Sequence, residues 1–237
     1  LTEIWGFGCL KVHVGPGDTL GATRQVEAIA ARFAAVREAV GPDMDIAIDI
    51  HNPHPTIARQ LLGALAPYHP LFVEEPMPAE RVDGLARVSA DRAVPIAAGE
   101  RWMGKWIFFD ALARDLVDVL QPDLCHAGGI TECRKIAAMG EAAYAKLAPH
   151  CPLSPIALAA SIQLAAATPN FLVQEHNEVN DWREDGRTSI GRGYLADPFV
   201  LDEEGYVAVP DRPGLGIELD EDGLTEIMAK TWHVERG

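Results

Sequence analysis

Acidic or histidine residues recur where each of a series of short apolar runs ends, and this recurrence limits the fold more than any other feature of the chain. The residues are His13, Asp49, Glu74, Glu100, Asp123, His150 and Glu175; after the first gap they follow at intervals of 25, 26, 23, 27 and 25 residues. The runs are Cys9–Val14, Asp45–Ile50, Leu71–Glu74, Val94–Ala98, Val117–Gln121, Lys146–Pro149 and Phe171–Gln174, all apolar and rich in β-formers. Segments of helical period separate them. Val26, Ile29, Phe33, Val36 and Val40 line one face of a helix that stops at Gly41-Pro42. Pro55 opens the next, with Leu61, Leu62 and Leu65 facing inward before Pro67. Further helices are expected over Glu80–Ser89, Met103–Leu116, Ile130–Tyr144 and Pro155–Thr168.

Strands alternating with helices indicate an α/β fold with a parallel sheet. An open doubly wound sheet gathers its ligands at one switch point, whereas a closed barrel brings every strand end to a common mouth. Polar residues at all seven ends favour the barrel. The expectation is an incomplete TIM-type barrel over residues 1–180, with seven of eight strands. From Asp181 the chain turns rich in Gly, Asp and Pro, so 181–237 reads as an irregular C-terminal segment packing on the barrel, with short strands such as Gly205–Val209 and Ile217–Leu219.

Composition narrows the function. Lys and Arg total 20 against 35 Asp and Glu, a net charge of −15, and no basic patch or arm is present, which argues against nucleic acid as a partner. No apolar run approaches a membrane span, and no targeting signal opens the chain. A cytoplasmic metabolic protein is expected. Cys9, Cys125, Cys133 and Cys151 form no C-x-x-C pair and read as buried free thiols.

Asp49, Glu74 and Glu100 each end an apolar strand, where a carboxylate is costly to desolvate unless paired or bound to a cation. Three hard oxygen ligands on rigid strands suit Mg²⁺ rather than Zn²⁺. Any one of them alone is as readily explained by a Lys or Arg partner; three in matched register favour the metal. Asp123 and His150 end neighbouring strands, so a carboxylate behind an imidazole is expected to fix its tautomer and raise its basicity. His51 shares a face with Asp49 by strand alternation and is placed to face His150 across the metal. His54, His69, His126, His176 and His233 read as ordinary solvated side chains, Trp102 as a mouth or core aromatic, and Arg101 as a brace for a carboxylate or a hydroxyl contact.

The series Asp49-Ile-His51, Phe72-Val-Glu74-Glu75-Pro76, Ala98-Gly99-Glu100-Arg101, Gln121-Pro122-Asp123, His126-Ala-Gly-Gly-Ile-Thr131, Ala148-Pro-His150-Cys-Pro-Leu153 and Gln174-Glu175 resembles the enolase superfamily. Within it the resemblance is closest to the mandelate racemase subgroup and its sugar-acid (aldonate) dehydratases, the galactonate dehydratases among them, and it runs from about Phe7 to Leu219. The resemblance implies Asp49, Glu74 and Glu100 as Mg²⁺ ligands and His150 as the base that takes the proton α to a carboxylate, with Asp123 behind it. It implies His51 as the acid that protonates the departing β-hydroxyl. It also implies Glu175 as a partner of the enolate-type intermediate and Lys11 as a contact to substrate or to a carboxylate ligand. The small-molecule partner would be a sugar acid, D-galactonate or a related aldonate, converted to a 2-keto-3-deoxy acid by a homo-oligomer.

Two departures qualify this. Lys11-Val12-His13 stands where many racemases and epimerases carry Lys-x-Lys, which argues against racemisation. The family's N-terminal capping domain and first barrel strand are not among these 237 residues, so a barrel open at one edge is expected. A racemase, epimerase or cycloisomerase, and a catalytically silent fragment that binds metal or sugar acid, remain the alternatives.

Overall fold

Six short strands run side by side in chain order and all in parallel: β1 (Cys9–His13), β2 (Asp45–Asp49), β3 (Val73–Glu74), β4 (Ile96–Ala98), β5 (Val119–Leu120) and β6 (Lys146–Leu147). The computed structural model describes residues 6–13, 21–51, 55–90, 92–177, 181–184 and 187–229; Val14, His54 and His233 lie outside the described residues. Helices connect the strands: α1 (Ala22–Val40), α2 (Pro55–Leu65), α3 (Val82–Ser89), α4 (Lys105–Ala113), and the pair α5 (Leu124–Ala127) and α6 (Gly129–Ala142). After β6 comes α7 (Pro155–Ala166). Sequential parallel neighbours joined by helices are the topology of a TIM-type barrel, here incomplete.

Strand alternation divides the sheet into two faces. Leu10, Val12, Ile46, Ile48, Val73, Ile96, Ala98, Leu120 and Leu147 join the helices in one continuous core, to which α1 contributes Val26, Ile29 and Phe33. The opposite face carries a second cluster of mostly small residues, Ala47, Phe72, Ala97, Val119 and Ala148. Asp49, Glu74, Gln121 and His150 each stand two residues beyond a member of that inner cluster. The same period of two that fills the barrel therefore delivers a polar side chain to its rim at four strand ends.

Glu100 arrives differently. Gly99 sits at φ 137°, and a Cβ there would lie 2.6 Å from Phe108 Cε1 and 3.1 Å from the Gln121 carbonyl carbon. Only glycine combines that backbone conformation with so close an approach, and the turn it makes carries the chain from β4 into Glu100.

The seventh expected strand, Phe171–Gln174, is reduced to a single bridge between Leu147 and Phe171. Two backbone hydrogen bonds hold it to β6, Leu147 N–H to Asn170 O at 2.9 Å and Leu172 N–H to Leu147 O at 2.8 Å. Among the described residues it has a strand partner on that side only, and a cavity of about 650 Å³ is lined by this segment together with Cys9, Leu10 and Lys11 of β1. The helix expected over Ile130–Tyr144 is the unbroken α6, and Gly128 at φ 117° separates it from the short α5, which the periodicity did not indicate. The helix expected from Met103 starts at Lys105, whose amide and ammonium both reach Glu132 Oε1.

In the tail, β7 (Asp181–Glu184), β8 (Arg187–Ile190) and β9 (Phe199–Val200) form an antiparallel sheet. The strands expected at Gly205–Val209 and Ile217–Leu219 are single bridges, Leu201 to Val207 and Leu195 to Leu219. A further helix, α8 (Glu221–Ala229), follows Asp220, whose Oδ1 accepts the Gly223 amide at 2.9 Å. Phe199, Leu201, Ile190 and Leu195 bury against Leu158, Ala159 and Ile162 of α7. Of the four thiols, Cys133 and Cys151 are buried as expected, but Cys9 is half-buried and Cys125 exposed, because Cys125 falls on the outer side of the short α5. Among the described residues no helix is long and apolar enough to cross a membrane.

Gly99→Ala is expected to destabilise the protein by about 3 kcal/mol through backbone strain and overpacking. Gly63→Ala, in α2 with nothing within 4 Å of the added Cβ, should instead stabilise it by about 0.8 kcal/mol. Urea denaturation of the two variants beside the wild type checks both signs.

Candidate active site

At the C-terminal rim of the sheet, side chains from neighbouring strand ends meet in a continuous polar network. Asp49 closes β2 in register with both His13 of β1 and Glu74 of β3. The His51 amide donates to Asp49 Oδ1 at 3.1 Å. Asp49 Oδ2 then faces two imidazoles, with His51 Nδ1 at 2.7 Å and His13 Nδ1 at 3.2 Å. His51 holds its place in the left-handed region at φ 37°, a conformation that strains a non-glycine residue. Its Nε2 lies 3.7 Å from Glu100 Oε1, while His150 Nε2 lies 3.4 Å from Glu100 Oε2. Glu100 thus has an imidazole at each oxygen.

Asp123 does two jobs. Oδ1 caps α5 by accepting the Cys125 amide at 2.7 Å, and Oδ2 accepts His150 Nδ1–H at 2.8 Å. Burial opposes the imidazolium of His150, but the Asp123 hydrogen bond and the charges of Glu175 and Glu100 outweigh it, so its pKa is raised. Burial likewise pushes Asp123 up, yet the His150 and Cys125 hydrogen bonds hold it below the usual carboxylate range.

Lys11 reaches across the opening of the sheet. Its Nζ donates to Glu74 Oε1 at 2.8 Å and pairs with Glu175 Oε1, and Glu175 Oε2 accepts the Cys151 amide at 2.8 Å. Glu74 is fully buried, and its Oε2 has no hydrogen-bond partner among the described residues. Burial above all, reinforced by the like charges of Glu175 and Asp49, pushes Glu74 up to about 7 despite Lys11. Counting Asp49, Glu74, Glu75, Glu100, Asp123 and Glu175 against Lys11 and Arg101, the rim holds six carboxylates and two obligate cations. Such a surplus, with one buried oxygen left over, can accommodate a hard divalent cation.

All the residues expected at the site, Lys11, Asp49, His51, Glu74, Glu100, Asp123, His150 and Glu175, lie on this rim. The three acids do not close on one point: among the described residues, the group whose ligand atoms all lie within 4.8 Å of one another is His13, Asp49 and His51. His51 stands between Asp49 and Glu100, and Lys11 draws Glu74 toward Glu175. Arg101 braces buried Glu75, whose Oε1 also accepts the Gly99 amide at 3.3 Å. Trp102 is a core residue, edge-on to Phe108 with ring centroids 5.0 Å apart.

Two further histidines, outside the expected catalytic and metal-ligand set, join the network. His13 does so because it is the register partner of Asp49, for which the recurrence of polar strand ends was a usable signal. His126 does so through Nδ1 and the Glu100 carbonyl at 2.9 Å, with its ring 6.5 Å from that of His150. No spacing in the sequence announces that contact.

Residues 2–223 match the family model described as enolase C-terminal domain-like. The chain belongs to this family. This enolase C-terminal domain-like chain is 42% identical over 206 residues to a D-galactonate dehydratase of Variovorax paradoxus, covering 86% of the chain and 53% of the relative. It is 43% identical over 215 residues to the D-galactonate dehydratase of Ralstonia pickettii, covering 90% of the chain and 54% of the relative. The chain therefore spans about half the length of the curated relatives it matches. Among solved structures, an enolase from Agrobacterium radiobacter with bound Na and L-malate superposes with a TM-score of 0.84 at 35% identity, over 95% of this chain and 60% of that one. A mandelate racemase/muconate lactonizing enzyme from Jannaschia sp. CCS1 gives a TM-score of 0.80 at 32% identity, over 97% of this chain and 58% of that one.

In metal-free buffer Lys11→Met should cost about 3 kcal/mol of stability, since it leaves the buried Glu74 carboxylate without its cation. The double variant Lys11→Met/Glu74→Gln should regain most of the loss. A denaturant titration that finds the single and double variants equally unstable would contradict the pairing.

Proposed function

We propose that this chain carries the reaction centre of a Mg²⁺-dependent aldonate dehydratase, with D-galactonate the leading substrate. The observation that carries the reading is the Glu100 carboxylate flanked by His51 and His150, with a hydrogen-bonded acid behind each imidazole. A dehydration of this kind removes a proton α to a carboxylate and expels a hydroxyl from the β-carbon, so it needs a base and an acid at two adjacent carbons.

His150 is the base. Asp123 holds its Nδ1–H, leaving Nε2 to take the α-proton, and the negative neighbours that raise its pKa also stabilise the imidazolium that results. His51 is the acid: Asp49 fixes its Nδ1 and its Nε2 delivers a proton to the departing hydroxyl. Lys11 and Glu175, joined across the opening of the sheet, are the groups assigned to the substrate oxygens. Asp49, Glu74 and Glu100 are the Mg²⁺ ligands by donor chemistry, each a hard carboxylate and Glu74 with a buried oxygen to spare. Bound there, Mg²⁺ supplies positive charge to the substrate carboxylate as its α-proton is lost.

A racemase or epimerase would need a second base opposite His150. Lys11 is the nearest lysine to that role on β1, and it is held between Glu74 and Glu175.

The chain, alone and joined to the capping half of a D-galactonate dehydratase relative, should be incubated with Mg²⁺ and a panel of aldonates while 2-keto-3-deoxy acid formation and deuterium uptake are followed. The capped form should dehydrate galactonate. His150→Asn should lower both α-deuterium exchange and dehydration by roughly 10³-fold, and His51→Asn should lower dehydration by a similar factor while sparing exchange. Exchange without loss of water would favour the racemase reading, and no product from any aldonate would end the dehydratase one.

A further inference from the structure

The closest gathering of metal-ligating atoms in the described structure is one that the dehydratase reading does not use as a unit. His13 and Asp49 are direct register partners on β1 and β2, and His51 follows Asp49 by two residues, so the three side chains project from rigid backbone to the same rim. Both Nδ1 atoms face the single oxygen Asp49 Oδ2, at 2.7 Å from His51 and 3.2 Å from His13. The other oxygen, Oδ1, is occupied by the His51 amide, which sets the plane of the carboxylate as an outer-shell partner orients a ligand. The rings meet edge to face with centroids 4.9 Å apart and an interplanar angle of 70°. All the ligand atoms lie within 4.8 Å of one another.

We propose that His13, Asp49 and His51 form a site for a borderline transition ion, Zn²⁺ foremost, that shares Asp49 with the proposed Mg²⁺ ligands. Two imidazoles and one carboxylate are a donor set preferred by Zn²⁺, Ni²⁺ and Cu²⁺ over Mg²⁺. Zn²⁺ ligands at about 2.0–2.1 Å from the ion sit about 3.3 Å apart at tetrahedral angles; the His13 Nδ1–Asp49 Oδ2 distance of 3.2 Å matches this, and His51 Nδ1, at 2.7 Å, has to move out slightly to admit the ion. Both imidazoles now donate Nδ1–H to the carboxylate; on binding each shifts its proton to Nε2 and offers the Nδ1 lone pair, so no net proton is released. His13 and His51 have 58% and 43% of their side chains exposed, which leaves the ion a path in and water as its remaining ligand. The ion would tie up Asp49 and His51 together. Zn²⁺ is therefore an antagonist of Mg²⁺ at this rim, a consequence that rests on the proposed role of Asp49, whereas the site itself does not.

The test uses the untagged chain in Mg²⁺-free buffer, titrated with Co²⁺ for its visible ligand-field bands and with Zn²⁺ to displace it, beside thermal melts in Mg²⁺. The wild type should take up one Zn²⁺. His13→Asn, a change at an exposed side chain, should weaken Zn²⁺ at least tenfold and leave any Mg²⁺-induced rise in Tm unchanged. Glu74→Gln should do the reverse, keeping Zn²⁺ and losing the response to Mg²⁺. Unaltered Zn²⁺ affinity in His13→Asn would overturn the proposal, as would failure of the wild type to bind Zn²⁺. If Zn²⁺ binding depends on His13 while Mg²⁺ shifts no melt, the site stands and the Mg²⁺ reading of the rim fails.

Discussion

Six carboxylates share one rim of the sheet with two obligate cations, and the arrangement of the rim follows from containing that negative charge. Desolvated acids of like sign repel, so each must find a donor or raise its pKa. Asp49 has His13 and His51, Asp123 has His150 and the head of α5, Glu75 has Arg101, and Glu175 has Lys11 and the Cys151 amide. Glu74 is satisfied least: fully buried, it shares Lys11 with Glu175 and keeps one oxygen without a partner. The residues that resemble catalytic groups are thus also the ones that make the apolar barrel tolerate so much charge.

Parallel pairing is what brings them together. Each strand rises only a few residues before its chain leaves by a helix, and the small inner residues Ala47, Ala97 and Ala148 let the sheet curl while the large outer ones seat the helices. Where alternation alone would point a side chain to the wrong face, a special backbone position intervenes. Gly99 does this for Glu100. Because, among the described residues, β1 and the segment after α7 share no strand pairing, Lys11 and Glu175 bridge the opening through their side chains instead.

Much of this was legible residue by residue. The helical face of Val26, Ile29 and Phe33 is buried as its spacing requires; Asp49 and Glu74 close their strands, and Asp123 and His150 follow theirs by three residues, whereas Glu175 follows a segment that pairs by one bridge only. Strands were legible by position but not by length: β3, β5 and β6 pair over two residues each, since pairing depends on a neighbour's geometry and not on the apolarity of the run. Phe171–Gln174 shows the same limit, with the composition of a strand and a partner on one side only. The tail was least legible, because short polar strands such as β7 and β8 carry no apolar alternation to distinguish them from loops.

The sequence alone determined the class of fold, the end of the sheet at which polar groups gather and the pairing of Asp123 with His150, because these follow from local periodicity and from chain order in a parallel sheet. Only the tertiary structure decided which donor each acid receives. Lys11 chooses Glu74 and Glu175, His13 joins His51 on one oxygen of Asp49, and His126 reaches the Glu100 carbonyl. Those choices depend on strand register, on how far the sheet curls and on where glycine turns the backbone, distances through space for which spacing along the chain carries no information.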